Sequence, residues 1–214
     1  MGDEPVKLQN ETFIRVFNDV IPHEFCDELI KKFEENTDQF DKVEQSSADF
    51  TQIDFSQDEM WREERNKLYT ILQKQIQEYK MQVGVTEQMW PKRYTFEGMR
   101  MKRYMPDGKE EFRPHVDVTG PENMKRFLVF FLYLDDNDEG ATTFPLLKKG
   151  SPCRKGSMLV FPPMWPWLHA GTKPVNKPKY IIGSYLHYDD SFTKYQPTPK
   201  KESEWQDDYL RKDR

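Results

Sequence analysis

The apolar rhythm of the chain splits it into a helical first half and a strand-rich second half. Phe13-Ile14-Arg15-Val16-Phe17 is a short apolar run closed by Asn18-Asp19, and it reads as a strand ending in a turn. From Pro22 onward Phe25, Leu29, Ile30 and Phe33 share one helical face, with acidic residues in the first turn, so a helix is expected there. Residues 37–56 are polar and irregular, rich in Asp, Gln and Ser, and read as a loop. Ser56 and Glu59 have the S-x-x-E spacing of a capping box, so a longer helix is expected to begin at Ser56. Its apolar positions Trp61, Leu68, Leu72, Ile76, Tyr79 and Val83 step by helical turns, and Gly84 is the expected stop. Periodicity alone makes it a support helix packed on a sheet.

From Phe96 the period shortens. Apolar segments at Met99 to Met105, Phe112 to Val118, Phe127 to Leu134, Thr142 to Phe144, Ser157 to Phe161 and Tyr180 to Tyr188 alternate with turn residues. That spacing predicts a β-sandwich or barrel of about eight strands. The fold class is therefore α+β in one unit, with residues 1–95 as an N-terminal strand and supporting helices and 96–190 as the β core. Residues 191–214 form a polar tail, in which a helix over Ser203 to Arg211 is expected.

Composition narrows the function more than the fold. The 214 residues carry a net charge of -5 and a pI near 5.5, which gives no global field for nucleic acid or an anionic membrane. Cys26 and Cys153 are the only thiols, so there is no disulfide framework and no cysteine-based zinc site. The start has no apolar export segment, and Val6 stands where a myristoylation signal needs Ser or Thr. The longest apolar run, Phe127 to Leu134, falls far short of the ~20 residues a membrane helix needs. A cytoplasmic protein without nucleic-acid or membrane partners is expected.

Only four histidines are present, and two of them frame the chemistry. In His115-Val116-Asp117 the imidazole and carboxylate are i and i+2 in a predicted strand, so both face one side and can converge on one ion. A third ligand must come from His23 in the predicted helix, His169 just past the Trp165 to Leu168 stretch in the β-rich half, or His187 near the end of the last strand. Two histidines and a carboxylate on one face of a metal leave positions open, a geometry suited to non-haem Fe(II) and O2. An HxD triplet alone is weak. Ten residues after His169, Lys179 opens the apolar run Tyr180 to Leu186. A lysine there is either an ordinary strand-edge residue or a buried cation that needs an anionic partner.

Taken together, HxD, a distant His and H-x9-K resemble the 2-oxoglutarate- and Fe(II)-dependent dioxygenases, and within them the prolyl 4-hydroxylase-like group. The resemblance runs from about Phe13 to Tyr188 and is strongest over Arg100 to His187. Arg103-Tyr104 with Pro106 and Gly108 resembles the lead-in to the first ligand. Arg126 through Tyr133-Leu134-Asp135-Asp136 resembles the family's R-x6-Y-L strand and acidic turn. Gly140-Ala141-Thr142-Thr143-Phe144-Pro145 looks like its GG-x-T-x-F-P segment, Lys155-Gly156-Ser157 and Phe161 like the strand before the second His, and Lys179 through His187 like the closing strand. Glu139 departs from the glycine pair, and Tyr185 stands where many relatives carry Trp near the substrate.

The resemblance implies a double-stranded β-helix, or jelly roll, buttressed by the N-terminal helices. It implies Fe(II) bound by His115, Asp117 and His169, and 2-oxoglutarate held by Lys179 with hydroxyls from Tyr104, Thr142 and Tyr133. No catalytic side chain is implied beyond the metal ligands. Arg126 and Tyr185 would meet substrate, though an ion pair with a neighbouring acid is an equal reading of Arg126. The implied activity is hydroxylation of an unactivated C–H bond, with O2 consumed and succinate and CO2 released. Its substrate would be a proline-containing peptide or protein, with ascorbate as a reductant. Residues 41–56 and 106–113 are the expected substrate-covering loops. The rival readings are the same chemistry on another side chain or a free small molecule, and a non-catalytic jelly-roll binding module.

Overall fold

The computed structural model describes residues 13–189, in which two helices cover one face of a curled antiparallel sheet. The order is β1 (Arg15–Phe17), α1 (His23–Glu35), β2 (Asp41–Glu44), β3 (Ala48–Asp54), α2 (Arg62–Val83), β4 (Tyr94–Phe96), β5 (Arg100–Tyr104) and β6 (Glu111–His115). Then follow β7 (Arg126–Tyr133), β8 (Asn137–Phe144), β9 (Lys149–Cys153), β10 (Met158–Phe161), β11 (His169–Gly171) and β12 (Lys179–Tyr188). These twelve strands run β1-β10-β7-β12-β5-β3-β6-β11-β8-β9, with β2 on β3 and β4 on β12. The result is a nearly closed jelly roll, as the resemblance implied, within the α+β class read from the pattern.

Strand β7 explains its own unbroken apolar run. Leu128, Phe130 and Leu132 join the layer packed by the helices, and Val129, Phe131 and Tyr133 point into the barrel. A strand buried on both faces has no polar side to alternate with. The helical layer is filled by Leu29 and Phe33 of α1 and by Leu68, Leu72 and Ile76 of α2, all buried. Each such side chain contributes roughly 2 kcal/mol on leaving water. Phe50, Tyr104, Phe144, Leu159 and Phe161 fill the barrel side.

Two local expectations are corrected. Residues 37–56 are not a loop: they contain a 3-10 turn and the hairpin β2–β3, with β3 bonded to β5 over Thr51–Asp54 and to β6 over Ala48–Asp49. The polar side chains of this stretch masked the buried Ala48, Phe50 and Ile53. The capping box at Ser56 does not form either. Ser56 Oγ donates to Asp54, Asp58 accepts from the Met60 amide, and a 3-10 turn over Glu59–Trp61 leads into α2. Its end is as expected, with Gly84 at φ 71°, a left-handed conformation that suits glycine. The helix expected over Ser203 to Arg211 lies outside the described residues.

Candidate active site

Two neighbouring strands bring the histidines together although they are far apart in sequence. His169 on β11 is the direct cross-strand partner of His115 on β6, and their ring centroids are 4.3 Å apart. Asp117 was expected on the same strand as His115, but β6 ends at His115. The Asp117 amide instead donates to the Pro163 carbonyl at 3.0 Å, and this turn aims its carboxylate back at both rings. His115 Nε2 lies 3.7 Å from Asp117 Oδ1, and His169 Nε2 lies 3.5 Å from Oδ2.

Each imidazole has a fixed tautomer. His115 Nδ1 lies 2.7 Å from the Arg113 carbonyl and His169 Nδ1 lies 3.0 Å from the Trp167 carbonyl. A carbonyl only accepts, so both Nδ1 atoms carry the hydrogen and both Nε2 lone pairs face the centre. His115 Nε2, His169 Nε2 and Asp117 Oδ2 are buried and have no hydrogen-bond partner. Three such atoms pointing at one another are costly unless something binds between them. The ligand atoms lie within 4.8 Å of one another, and this is the group among the described residues able to hold an ion. An N,N,O set with open positions fits Fe(II). His23 pairs with Asp19 at 3.6 Å instead, and is not part of this group.

The electrostatics agree with a ligand set. Burial holds the His169 imidazolium down to about 4, so the ring is neutral at neutral pH. Burial pushes the Asp117 carboxyl up, but both imidazoles and the Tyr185 hydroxyl outweigh it and keep the group below its ordinary range. Phe131, Phe144 and Phe161 surround His169, with ring centroids 4.8 to 6.1 Å away. Phe112 stacks on His115 at 3.7 Å.

Behind the histidines lies a second polar cluster. Lys179 is 2% exposed, has Tyr104 as its cross-strand partner and holds its ammonium 5.3 Å from that ring. No carboxylate pairs with it among the described residues, and burial pulls it down to about 8. Tyr133 and Thr142 are buried, and the Tyr133 hydroxyl donates to Thr142 Oγ1 at 2.8 Å. Burial pushes both the Tyr104 and Tyr133 phenols up, so they remain neutral donors. Space beside Lys179 depends on glycines: a Cβ on Gly140 would meet Lys179 Cδ at 2.9 Å, and one on Gly171 would lie 3.5 Å from Nζ.

In front of the histidines is a cavity of about 620 Å³. Ala48, Phe50 and Gln52, alternate residues of β3, form one wall. Arg126 and Tyr185 line the cavity and are tied together, the guanidinium lying 4.1 Å from the Tyr185 ring. Arg126 also pairs with Glu97 through two bonds of 2.6 Å, which is the ion-pair reading of this arginine. The Tyr185 hydroxyl donates to Asp117 Oδ1 at 2.8 Å. Two contributors are not visible in the motifs. Asn137 accepts from the Gly140 amide at 2.7 Å and fixes the strand over Lys179. Lys102 lines the cavity from β5, a position marked only by its alternation with Tyr104.

Residues 99–187 match the family model of the 2OG-Fe(II) oxygenase superfamily. No curated protein matches the chain by sequence. Several solved structures share the fold. A viral collagen prolyl hydroxylase from Paramecium bursaria Chlorella virus-1, solved with 2OG, matches with a TM-score of 0.65 and 20% identity, over 84% of this chain and 98% of that one. A Trichoplax adhaerens prolyl hydroxylase, solved with a hypoxia inducible factor peptide fragment, matches at 0.67 and 14%, over 87% and 89%. A Pseudomonas putida prolyl-4-hydroxylase matches at 0.60 and 14%, over 84% and 94%. With its paired histidines, its orphaned carboxylate oxygen and this matched segment, the β core over residues 99–187 is similar to a 2OG-Fe(II) oxygenase domain, and the chain has a prolyl-hydroxylase-like fold.

Proposed function

We propose that the chain hydroxylates a peptidyl-proline C–H bond, with Fe(II) held by His115, Asp117 and His169 and 2-oxoglutarate held at its distal carboxylate by Lys179. The observation that carries this reading is the convergence of three buried, partnerless ligand atoms beside a buried lysine without a counter-ion. When bound, the metal and its co-substrate supply the activation of O2 and the release of succinate and CO2. The protein supplies position. The Nδ1–H bonds to Arg113 and Trp167 hold the imidazoles, and Tyr185 holds one carboxylate oxygen of Asp117. Lys179 supplies the charge that a buried carboxylate needs, and the hydroxyls of Tyr104, Thr142 and Tyr133 supply hydrogen bonds around it. Phe131, Phe144 and Phe161 keep water from the His169 side.

The proline assignment draws on the relatives with this fold, one of which is solved with a peptide, and on a cavity open beside His115 and Asp117. The Tyr185 hydroxyl in that cavity favours a second reading, the same chemistry on a more polar side chain. Ascorbate is assigned only the part of an external reductant. Incubation with Fe(II), 2-oxoglutarate and a proline peptide library, with and without ascorbate, separates the readings. Peptides gaining +16 Da at proline, with matching succinate, are expected. Products only at other residues would replace proline by the second reading, and the absence of any 2-oxoglutarate turnover would sink both.

A further inference from the structure

The cations around the cavity are paired, with one exception. Arg100 meets Asp54 at 3.0 Å and Glu97 at 3.4 Å, Arg126 meets Glu97, Arg113 meets Glu111 at 3.0 Å, and Lys42 meets Asp49 at 2.8 Å. Lys102 makes no hydrogen bond or ion pair among the described residues. Its ammonium instead sits over two aromatic faces, 4.7 Å from the Phe50 centroid and 5.2 Å from that of Phe112. Phe112 is the ring stacked on His115, so this cation stands one ring away from the metal-ligand group. Desolvation pulls Lys102 down to about 8, with Asp117 the acid that opposes the shift.

Charge counting shows why this matters. On the reading proposed above, Fe(II) and the Asp117 carboxylate together leave one positive charge. The 2-oxoglutarate dianion and Lys179 leave one negative charge, and the two cancel. Asp117 is then committed to the metal, and Lys102 is left as an uncompensated cation in a partly dry cavity. Two phenylalanine faces hold its position but cannot neutralise it.

We infer that Lys102 is a specificity residue that pairs with a carboxylate on the substrate, so that the preferred substrate is an acidic peptide with that carboxylate within about one residue of the hydroxylated carbon. The inference rests on the dioxygenase reading of the site. The carboxylate has two sources, an Asp or Glu side chain beside the target or the free C-terminus of a chain ending in it. Gln52, the cross-strand neighbour of Lys102 on β3, lines the same cavity and adds an uncharged donor.

Calorimetry on the full chain loaded with Mn(II) and 2-oxoglutarate under nitrogen tests this without turnover. The probes are acetyl-Gly-Glu-Pro-Gly-amide, its Gln counterpart, and acetyl-Gly-Gly-Pro with free and amidated C-termini. At least one carboxylate probe should bind about tenfold tighter than its neutral partner, the usual size for a charge-assisted pair. Lys102→Met should erase that difference while leaving 2-oxoglutarate affinity unchanged, and Lys102→Arg should retain part of it. Equal binding of charged and neutral probes, or no binding of either carboxylate probe, overturns the inference. So does a Lys102→Met protein that loses 2-oxoglutarate affinity in place of peptide discrimination. A wild-type protein that takes up Mn(II) but no 2-oxoglutarate would instead fail the dioxygenase reading itself.

Discussion

The Tyr185 hydroxyl donates to Asp117 Oδ1 at 2.8 Å, while Asp117 Oδ2, 3.5 Å from His169 Nε2, is left without a partner. One oxygen is spoken for and the other is free, so the tyrosine decides how the carboxylate faces the histidines. Tyr185→Phe removes that bond and keeps the ring. Loss of such an outer hydrogen bond typically costs tenfold or more in metal affinity. We expect Fe(II) or Mn(II) to bind about tenfold more weakly in a competition titration, with the fold retained. An unchanged affinity would remove Tyr185 from the metal group.

Asp117→Ala deletes the carboxylate outright and leaves two neutral imidazoles facing each other. Substrate-coupled succinate production should vanish. A variant that keeps full turnover would refute the ligand assignment.

Lys179→Met keeps the aliphatic stem in its buried slot and removes the charge. Removing one member of a buried pair costs about 2–5 kcal/mol, so the 2-oxoglutarate dissociation constant should rise by at least about tenfold. Titration of the metal-loaded variant checks this, and an unaltered constant rejects the pairing.

The same lysine sets a pH dependence. Its ammonium is held at about 8, below the ordinary lysine value, because burial disfavours the charge. Binding a dicarboxylate requires the protonated form. Affinity for 2-oxoglutarate should therefore be full below pH 8 and fall as pH rises through and above it. Stability of the unliganded protein runs the other way. The unfolded chain, with a lysine of pKa about 10.4, binds the proton more readily than the folded one. Between about pH 8 and pH 10 this group makes folding more favourable as pH rises, and Lys179→Met should lose both trends. Parallel titration and thermal unfolding measure the two.

Gly140 tests the packing that places Lys179. An added Cβ would come within 2.7 Å of Asn137 Oδ1 and 2.9 Å of Lys179 Cδ. Overpacking of this kind costs about 1–3 kcal/mol. Gly140→Ala should lower the unfolding temperature and also weaken 2-oxoglutarate binding. A loss of stability with binding intact would show that Lys179 is placed by other contacts.

The helices and the strong strands were legible because their apolar residues keep one period. Phe25, Leu29 and Phe33 mark α1, and the two-sided burial of β7 makes its run continuous. Strand β3 was not legible, because Asp49, Thr51, Gln52 and Asp54 outnumber its apolar positions. Its burial comes from partners β5 and β6, which no local pattern reveals. At the site, the spacing of His115 and Asp117 brought the two side chains together for an incomplete reason, since Asp117 lies beyond the strand and is turned inward through the Pro163 carbonyl. Lys102 was hidden by its neighbours in Arg100-Met101-Lys102-Arg103, where nothing separates a cavity cation from solvated charge. Alternation does separate them once the strand is known, since Arg103 meets Glu34 and Lys102 faces the cavity.

The bonding of the β2–β3 hairpin bears on how the cavity mouth can breathe. β3 is bonded to three strands, β2 along one edge and β5 and β6 along the other, whereas β2 is bonded to β3 alone. Swinging β3 outward would break the sheet on which Tyr104 and His115 stand, so its amides should exchange with solvent only when the barrel itself opens. β2 has no second partner strand and is linked beyond β3 by the Lys42–Glu110 ion pair, the turn at Gln45 to Ser47 is tied to β6 through the Ser46 and Ser47 carbonyls, which accept from Arg113, and Val43, Gln45 and Ser47 line the cavity. Substrate entry is thus expected to appear in hydrogen exchange as slowing confined to β2 and that turn, around an inner wall that stays closed throughout.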